Sequence, residues 1–450
     1  MDRITHKNDL IRLRARLILL SFLMLFVELD LIRWLGSNIL YLSYFSNFVL
    51  LGSFLGIGVG FLRAKSPTDL FPWAATALAF LVAFVRVFPV EVDRSGSQLI
   101  YFGAGLTPSG LPMWLTLPVI FLLVAVVMAA VAQGVARTFT LFEPLEAYRL
   151  DILGSLAGIT AFSMLSFLGA PPIAWGVVVS LAFLILHRRS LRVLQLVALA
   201  GMLIVLGRES LTPGDSWSPY YKISVLNNYG RSDIKVLNVN GIPHQVIESM
   251  FWRRKTEPLY FRAYDRLRIK KPNNVLIIGA GNGGDVAIAL AAGAKHVDAV
   301  EIDPRIYQIG RELNPNHPYQ DPRVTIHIDD GRAFLQQTRG RYDLILFALP
   351  DSLMLVAGQS SLRLESYLFT IDAMRAARSH LTPRGAFAMY NFYREDWLID
   401  RFATTLQLAY GQRPCIDSFG RYGRFALLMV GRGQGSVTCG STWTLGTRFD

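Results

Sequence analysis

The stretch NVLIIGAGNGGDVAIAL, residues 274–290, decides the fold of the C-terminal half. An apolar run of strand length meets a glycine-rich turn. Apolar residues at helical spacing follow, so strand, turn and helix are predicted in that order. Gly279, Gly281 and Gly283 let the chain turn sharply and come close to a ligand at the mouth of the helix. Alone, such a glycine pattern is a weak signal. The next acidic residue strengthens it: VEID ends the following strand and puts Glu301 about 20 residues on, where a carboxylate suits a ribose diol.

Working outward, the strand-like segments VDAVEID, RVTIHID, YDLILFA and GAFAMYN alternate with helical ones, and a late pair lies near PCIDSF and RFALLMV. Alternation of this kind predicts a mostly parallel, doubly wound sheet with helices on both faces. Upstream, KISVLN and IKVLNV flank NNYGRSD and read as a hairpin. RESLTPGDSWSPYYK reads as a Pro/Gly/Ser-rich linker, and GQGSVTCGSTWTLGTRFD as a poorly ordered tail.

The N-terminal half differs. Over the 450 residues 52% are hydrophobic and 17% charged, and the charges concentrate after about residue 209. Residues 17–35 form an apolar run long enough to span a bilayer, preceded by KNDLIRLRAR, which suits an uncleaved anchor with a cytoplasmic N-terminus. Further spans are predicted at about 40–62, 70–90, 113–135, 152–169 and 172–187. The basic residues Arg63, Lys65, Arg137, Arg149, Arg188, Arg189 and Arg192 then all fall on the N-terminal side of the membrane. A seventh run, residues 193–207, is borderline at about 15 residues and reads as a short or partial span. The C-terminal half is therefore expected in the cytoplasm, on a multi-pass protein of the inner or plasma membrane.

Gly52, Gly56 and Gly60, and again Gly154 and Gly158, recur four apart and let a second helix backbone approach. Glu28, Asp30 and Arg33 lie in the last turns of the first span. Intramembrane charges are costly and often functional, but Asp30 and Arg33 are also spaced to pair with each other.

The net charge of +12 admits nucleic acid or an anionic membrane surface; many Lys and Arg flank apolar runs, which favours membrane lipid. No basic stripe with interleaved aromatics marks the C-terminal half, so a nucleic-acid partner is not expected. The two cysteines, Cys415 and Cys439, exclude a disulfide framework and a Cys-rich zinc site, and the histidines show no metal spacing.

Asp303 closes the VEID segment, and Asp329 and Asp330 follow the third strand in IHIDDG. Acidic groups at the ends of successive strands suit a cationic nucleoside better than a pyrophosphate, and S-adenosylmethionine, a sulfonium, fits. Turn or helix-cap chemistry is the structural alternative for Asp329.

From about Ser218 to Val430 the chain resembles the spermidine synthase family, the polyamine aminopropyltransferases, and their membrane-fused relatives. The resemblance runs in order through SPYYKISVL, LNVNGIPHQVI, VLIIGAGNGGDVAIAL, VEIDPRIYQIGR, DPRVTIHIDDGRAFL, RYDLILFALPDS and LFTIDAMRAARSHLTPRGAF. It implies a class I methyltransferase-like, Rossmann-like domain preceded by a small β-hairpin domain. It also implies nucleoside contacts from Gln245 and Glu301, Asp330 at the adenine, and a substrate-binding place for Tyr221. No prosthetic group is implied; S-adenosylmethionine or its decarboxylated form is a substrate, with a polyamine as a candidate acceptor and a homodimer as a candidate assembly.

Two departures matter. The family's glycine loop carries an Asp that binds the amino group of decarboxylated S-adenosylmethionine, and Asn282 stands there. Like charges about 4 Å apart cost ~1 kcal/mol in water and ~4 kcal/mol at an effective dielectric of 20, so Asn makes the intact, carboxylate-bearing substrate admissible. After the fourth strand the family carries Asp-Ser-x-Asp-Pro. Here ALPDS puts Ala348 at the first position, where the family's Asp helps deprotonate the amine, and Asp351 at the second. Asp351, Asp285 or Glu365 could act as base instead. Alternatively, the substrate's own α-carboxylate attacks Cγ and yields homoserine lactone and methylthioadenosine. MFWRRKTEPLYFRAYDRL also replaces a Tyr-His stretch used near the acceptor.

The predicted organisation is a helical transmembrane bundle over 1–208 with six to seven spans, a linker over 209–220, a small β subdomain over 221–272, a Rossmann-like domain over 273–432 and a flexible tail over 433–450. The predicted activity is transfer of an aminopropyl or related three-carbon group with release of methylthioadenosine. A methyltransferase, and a transporter or sensor with a non-catalytic nucleoside domain, are the rivals.

Overall fold

The computed structural model describes residues 2–44, 46–92, 108–187, 192–228, 231–348, 368–393, 396–419 and 425–445. The chain divides into two compact units, one of residues 1–96, 107–224 and 239–242, the other of residues 225–238 and 243–450.

The first unit contains the helices α1 (Asp2–Asn38), α2 (Leu40–Tyr44), α3 (Ser46–Leu62), α4 (Ala74–Val87), α5 (Met113–Phe139), α6 (Pro144–Phe167), α7 (Pro172–Leu186) and α8 (Val193–Ser210). Strands β1 (Glu91–Val92) and β2 (Pro108–Ser109) pair antiparallel. By length and composition α5, α6 and α8 are long and apolar enough to cross a membrane, while α3, α4 and α7 are shorter apolar helices. The spaced glycines sit where helices touch. A Cβ at Gly56 or Gly60 would run into the α5 backbone at Ala125 or Ala129, and one at Gly154 or Gly158 into the α1 backbone at Ile18 or Phe22.

Helix α8 is longer than the partial span expected from 193–207, because its polar last turn finds partners instead of breaking the helix. Glu209, 1% exposed, accepts from Trp34 Nε1 at 2.8 Å and from Lys222 Nζ at 2.7 Å. Ser210 Oγ donates to Leu206 O at 2.7 Å and accepts from Ile173 N at 3.1 Å. Arg33 donates to Ser166 Oγ and to the carbonyls of Ser218 and Pro219, and it lies over the rings of Trp175 and Trp217 at 5.2 and 5.7 Å. Its guanidinium ties helices to the following loop.

Strands β3 (Asp215–Trp217), β4 (Lys222–Asn228), β5 (Arg231–Val239) and β6 (Ile242–Ile247) form a four-stranded sheet in that order. Strand β3 lies inside the segment expected to be linker, because Asp215 pairs with Ser224 and Trp217 with Lys222. The β5–β6 turn is Asn240–Gly241, both at positive φ (50° and 78°), as a tight hairpin turn demands.

The second unit continues with α9 (Met250–Thr256), α10 (Leu259–Arg266), β7 (Asn274–Ile278), α11 (Gly284–Ala291), β8 (His296–Glu301), α12 (Pro304–Leu313), β9 (Val324–Ile328), α13 (Gly331–Gln337), β10 (Tyr342–Ala348), α14 (Ile371–Ser379), β11 (Leu381–Phe392), α15 (Asp396–Tyr410), β12 (Cys415–Phe419), β13 (Phe425–Gly431) and β14 (Ser441–Thr442). The sheet order is β14-β12-β13-β11-β10-β7-β8-β9. Strands β11, β10, β7, β8 and β9 run parallel, and β13, β12 and β14 add antiparallel pairs. Alternate side chains serve opposite faces. Val275 and Ile277 enter one core with Val297, Leu344 and Leu346; Leu276 and Ile278 enter the other with Val300, Ile345 and Phe347. Burial on both faces is why these strands read as continuous apolar runs.

The tail is more ordered than its composition suggests. Cys439 forms a disulfide with Cys415, Cα–Cα 5.2 Å, β14 pairs with β12, and buried Trp443 donates Nε1 to Asp400 Oδ1 at 2.7 Å. One covalent tie and one aromatic anchor supply what the Gly/Ser/Thr-rich sequence lacks.

Candidate active site

Strand order reverses between β7 and β10, and a ligand crevice is expected outside the carboxyl ends of strands at such a point. The glycine loop leaves β7 there. Gly279, Gly281 and Gly283 all have positive φ, at 80°, 56° and 86°. Two of them must also be bare for packing, since a Cβ on Gly281 would collide with the Gln245 amide and one on Gly283 with the Pro318 ring.

Glu301, the last residue of β8, is 6% exposed and spans the loop. Its Oε2 accepts from Gly281 N at 2.7 Å and its Oε1 from Asp303 N at 2.9 Å. Burial pushes its carboxyl up to about 7, with neighbouring Asp303 adding to the rise and the backbone N–H groups of Asp303, Gly281 and Ile302 opposing it. Gln245 Oε1, from β6, accepts from Asn282 N at 2.8 Å. Gln245, Gly281, Asn282, Glu301 and Asp303 therefore meet at one loop.

Asn282 is spent on that loop. Its Nδ2 donates to Val246 O at 3.1 Å, its Oδ1 accepts from Gly284 N at 3.1 Å, and its carbonyl accepts from Asn314 Nδ2 at 2.9 Å. Tyr319 OH donates to Gly281 O at 2.8 Å. Asn314 and Tyr319 were not foreseen; both come from the polar, proline-containing NPNHPY segment after α12, whose only sequence signal is that composition.

Asp303 caps α12 with Oδ1, accepting from Arg305 N and Ile306 N at 2.8 and 3.2 Å. Asp330 caps α13 likewise, accepting from Arg332 N and Ala333 N at 3.0 and 2.9 Å, and Asp329 Oδ1 accepts from Asp330 N at 2.8 Å. Cap and turn chemistry thus engages one oxygen of each.

Ala348 ends β10 and pairs in register with Tyr390 of β11, which is 1% exposed. Tyr390 faces Asp285, in the first turn of α11 and 8% exposed. Burial raises the Asp285 carboxyl above its usual range, while the Tyr390 hydroxyl and the charge on Arg253 act in the other direction. Arg253, from α9, donates to Glu248 Oε1 at 3.3 Å and Val246 O at 2.9 Å, and stacks 4.9 Å from the Tyr260 ring centroid. Arg253, Glu257 and Tyr390 join Asp285 without having been read as site residues. The only hint was a run of charges, RRKTE, set among aromatics. Tyr221 lies in the first unit, and Asp351 and Glu365 lie outside the described residues. Among the described residues no group of three or more His, Cys, Asp and Glu is placed to hold a metal ion.

Residues 265–402 match the model of the spermine/spermidine synthase domain family. Over 121 residues the chain is 36% identical to the polyamine aminopropyltransferase of Hamiltonella defensa subsp. Acyrthosiphon pisum (strain 5AT), covering 26% of this chain and 39% of that protein. Over 140 residues it is 31% identical to the polyamine aminopropyltransferase of Alkaliphilus metalliredigens (strain QYMF), covering 30% and 46%. The chain thus spans less than half the length of these curated relatives. The crystal structure of a spermidine synthase with the transition-state analogue AdoDATO superposes with a TM-score of 0.37 and 19% identity, over 49% of this chain and 71% of that one.

Proposed function

We propose that this chain, which carries a spermine/spermidine synthase domain over residues 265–402, is a membrane-bound transferase that breaks the sulfur–Cγ bond of S-adenosylmethionine or its decarboxylated form. The membrane assignment draws on α5, α6 and α8 and on the lipid-flanking basic residues, and corresponds to the membrane-fused subgroup. The curated relatives are polyamine aminopropyltransferases, which supports transfer of a three-carbon group rather than a methyl.

One observation carries the reading: the buried Glu301 carboxylate, held against Gly281 N beside the mouth of α11. A carboxylate there suits the two ribose hydroxyls of a nucleoside, and its charge favours a sulfonium over a pyrophosphate. Gln245, Gly279, Gly283 and Asp303 would shape the same crevice, with Asp329 and Asp330 as further candidate contacts. In the transfer, the acceptor's amine nitrogen attacks Cγ. The new N–C bond forms as S–Cγ breaks, the electron pair stays on sulfur, and the amine gives up a proton. Methylthioadenosine leaves as a neutral thioether. Asp285, Asp351 and Glu365 are the candidate bases.

Ala348 favours a second reading. No side chain at that position can take a proton, and cyclisation needs none taken. The α-carboxylate of intact S-adenosylmethionine would attack Cγ, forming a C–O bond and releasing homoserine lactone with methylthioadenosine. Proximity and a folded conformer are worth ~7–11 kcal/mol for such a step.

The test is product analysis. The purified full chain is incubated with S-adenosylmethionine, and separately with its decarboxylated form, each with and without putrescine. Methylthioadenosine dependent on the decarboxylated form and amine supports transfer; methylthioadenosine with lactone from intact substrate supports cyclisation. S-adenosylhomocysteine would indicate methyl transfer, and no methylthioadenosine in any arm rejects both leading routes.

A further inference from the structure

The edge of the sheet opposite the crevice carries a row of cations that no run in the sequence announces. Strands β7, β8, β9, β10 and β11 are parallel, so all of them enter from one edge. Each is entered past a basic residue: Lys271, Lys295, Arg323, Arg341 and, in the irregular start of β11, Arg384. Antiparallel β13 leaves through the same edge at Arg432, since Gly431 pairs with Ala386. All of these side chains are on exposed residues. Backbone bonds knit the entries together: Lys295 N donates to Pro272 O at 3.2 Å, Val297 N to Arg323 O at 2.9 Å, and Arg432 N to Gly385 O at 2.9 Å. Asn274 Nδ2 donates to Arg341 O at 3.1 Å. Neighbouring strands lie about 4.8 Å apart, so the row from β11 to β9 is about 19 Å long.

Neighbouring acids do not neutralise this row. Asp321 is held by Arg323 at 2.8 Å, Asp265 by Arg262 at 3.7 Å, and buried Asp343 accepts from Asn273 N at 2.7 Å and Thr382 Oγ1 at 2.8 Å. Among the described residues Lys271, Lys295, Arg341, Arg384 and Arg432 form no ion pair. Helix dipoles do not account for them either, because a cation gains from a helix C-terminus only within its last turn. Lys271, Lys295, Arg341 and Arg384 stand four or five residues past the ends of α10, α11, α13 and α14. The opposite edge has the reverse sign: Glu301, Asp303, Asp329 and Asp330 gather at the carboxyl ends of β8 and β9. Strands of this length separate the two edges by about 17–23 Å, so the unit is polarised along its strands.

We infer that this basic edge docks on an anionic lipid surface, a role separate from the crevice. A flat array of negative headgroups meets a row of exposed cations without needing a pocket, and each Lys or Arg near such a surface strengthens binding about fivefold. The apolar helices of the first unit keep a bilayer within reach, and the inference rests on the membrane reading in this respect alone. Base stacking is not offered: Phe251 and Trp397, exposed rings of the second unit, lie on α9 and α15 and not in these loops. With the basic edge on lipid, the acidic crevice at the far ends of the strands faces solution, where a cationic substrate meets it.

The experiment is lysine footprinting of the full chain in lipid nanodiscs, by reductive methylation with formaldehyde and mass spectrometry. One set of discs is phosphatidylcholine alone, and the other adds phosphatidylglycerol. Lys255, exposed on α9, is the internal reference. In anionic discs at low salt, methylation of Lys271 and Lys295 relative to Lys255 is expected to fall about fivefold or more. In ~1 M salt, where the Debye length is about 3 Å, the ratio should return to its neutral-disc value. The double substitution Arg341→Gln, Arg384→Gln should restore that value at low salt. Its thermal unfolding is followed in parallel, and the lipid and salt arms on the unaltered chain decide the question if the variant unfolds early. Equal ratios in both discs, or protection that survives high salt, overturns the inference. Protection by added homopolymeric RNA in neutral discs, with none from anionic lipid, also overturns it and assigns the edge to nucleic acid. A chain that enters no disc counts against the membrane reading instead. The edge is then tested by cosedimentation with vesicles of the same two compositions: pelleting confined to the anionic ones supports it, and no pelleting overturns it.

Discussion

Gly281 donates its backbone N–H to Glu301 Oε2 over 2.7 Å, joining the turn after the first parallel strand to the end of the second. The bond holds the carboxylate at the loop before any ligand arrives. Substituting Glu301→Gln keeps the shape and removes the charge. Nucleoside affinity is expected to fall about 10- to 100-fold, as for loss of a charged hydrogen-bonding partner worth about 1.5–3 kcal/mol. Titration with methylthioadenosine checks it, and unchanged affinity would remove Glu301 from the site.

Asn282 invites reversion to the family's acid, but its amide is already committed. Asn282→Asp keeps the acceptor for Gly284 N and replaces the donor to Val246 O by a second oxygen 3.1 Å from that carbonyl. The expected result is a loss of about 1–3 kcal/mol in unfolding free energy. Selectivity between intact and decarboxylated S-adenosylmethionine should change only if the loop rearranges. Denaturant titration beside competition binding separates the two effects.

Glu257 gives a pH dependence of definite sign. Burial and neighbouring Asp285 push its carboxyl up to about 7 from 4.5. The folded chain therefore binds more protons than the unfolded one between those values. The contribution to stability is full below about 4.5 and is lost as pH rises through about 7. Arg253, Glu248, Asp285, Tyr260, Tyr264 and Tyr390 face the same group, and Glu301, also pushed up to about 7, adds a slope of the same sign. Thermal unfolding between pH 4.5 and 8 should show a shallower decline for Glu257→Gln than for wild type; parallel curves would refute the assignment.

The Cys415–Cys439 bridge closes a separation of 24 residues. Chain-entropy arguments give about 3 kcal/mol for a loop of that order, so Cys439→Ser should lower stability by about 2–4 kcal/mol. Persistent disulfides belong to oxidising compartments.

Helix α8 bears on the same question. Its 18 residues span about 27 Å at 1.5 Å per residue, enough for a crossing. If the basic residues 188, 189 and 192 lie on the cytoplasmic side, as expected from the sequence, the turn after Ser210 lies on the opposite side. An engineered cysteine at Thr212 should react with an impermeant maleimide in intact cells. Reaction only after lysis would restore the cytoplasmic placement expected from a partial span.

Much of the fold was legible because its signals are local. The glycine turn and the alternation after Asn274 each follow from backbone sterics or from burial on both faces of a strand. The tail was not legible, because order there comes from Cys415 and Asp400, partners 24 and 43 residues away.

By itself, the sequence determined the strand–turn–helix alternation after Asn274, the apolar helices, and that Glu301 ends the strand after the glycine loop, since covalent order and side-chain periodicity fix them. Only the tertiary structure decided that the Asn282 amide is consumed by Val246 and Gly284, and that Glu257, Asp285 and Tyr390 converge beside Ala348. Those meetings depend on which elements pack together and on which buried atoms are left without partners, and no local pattern in the chain encodes either.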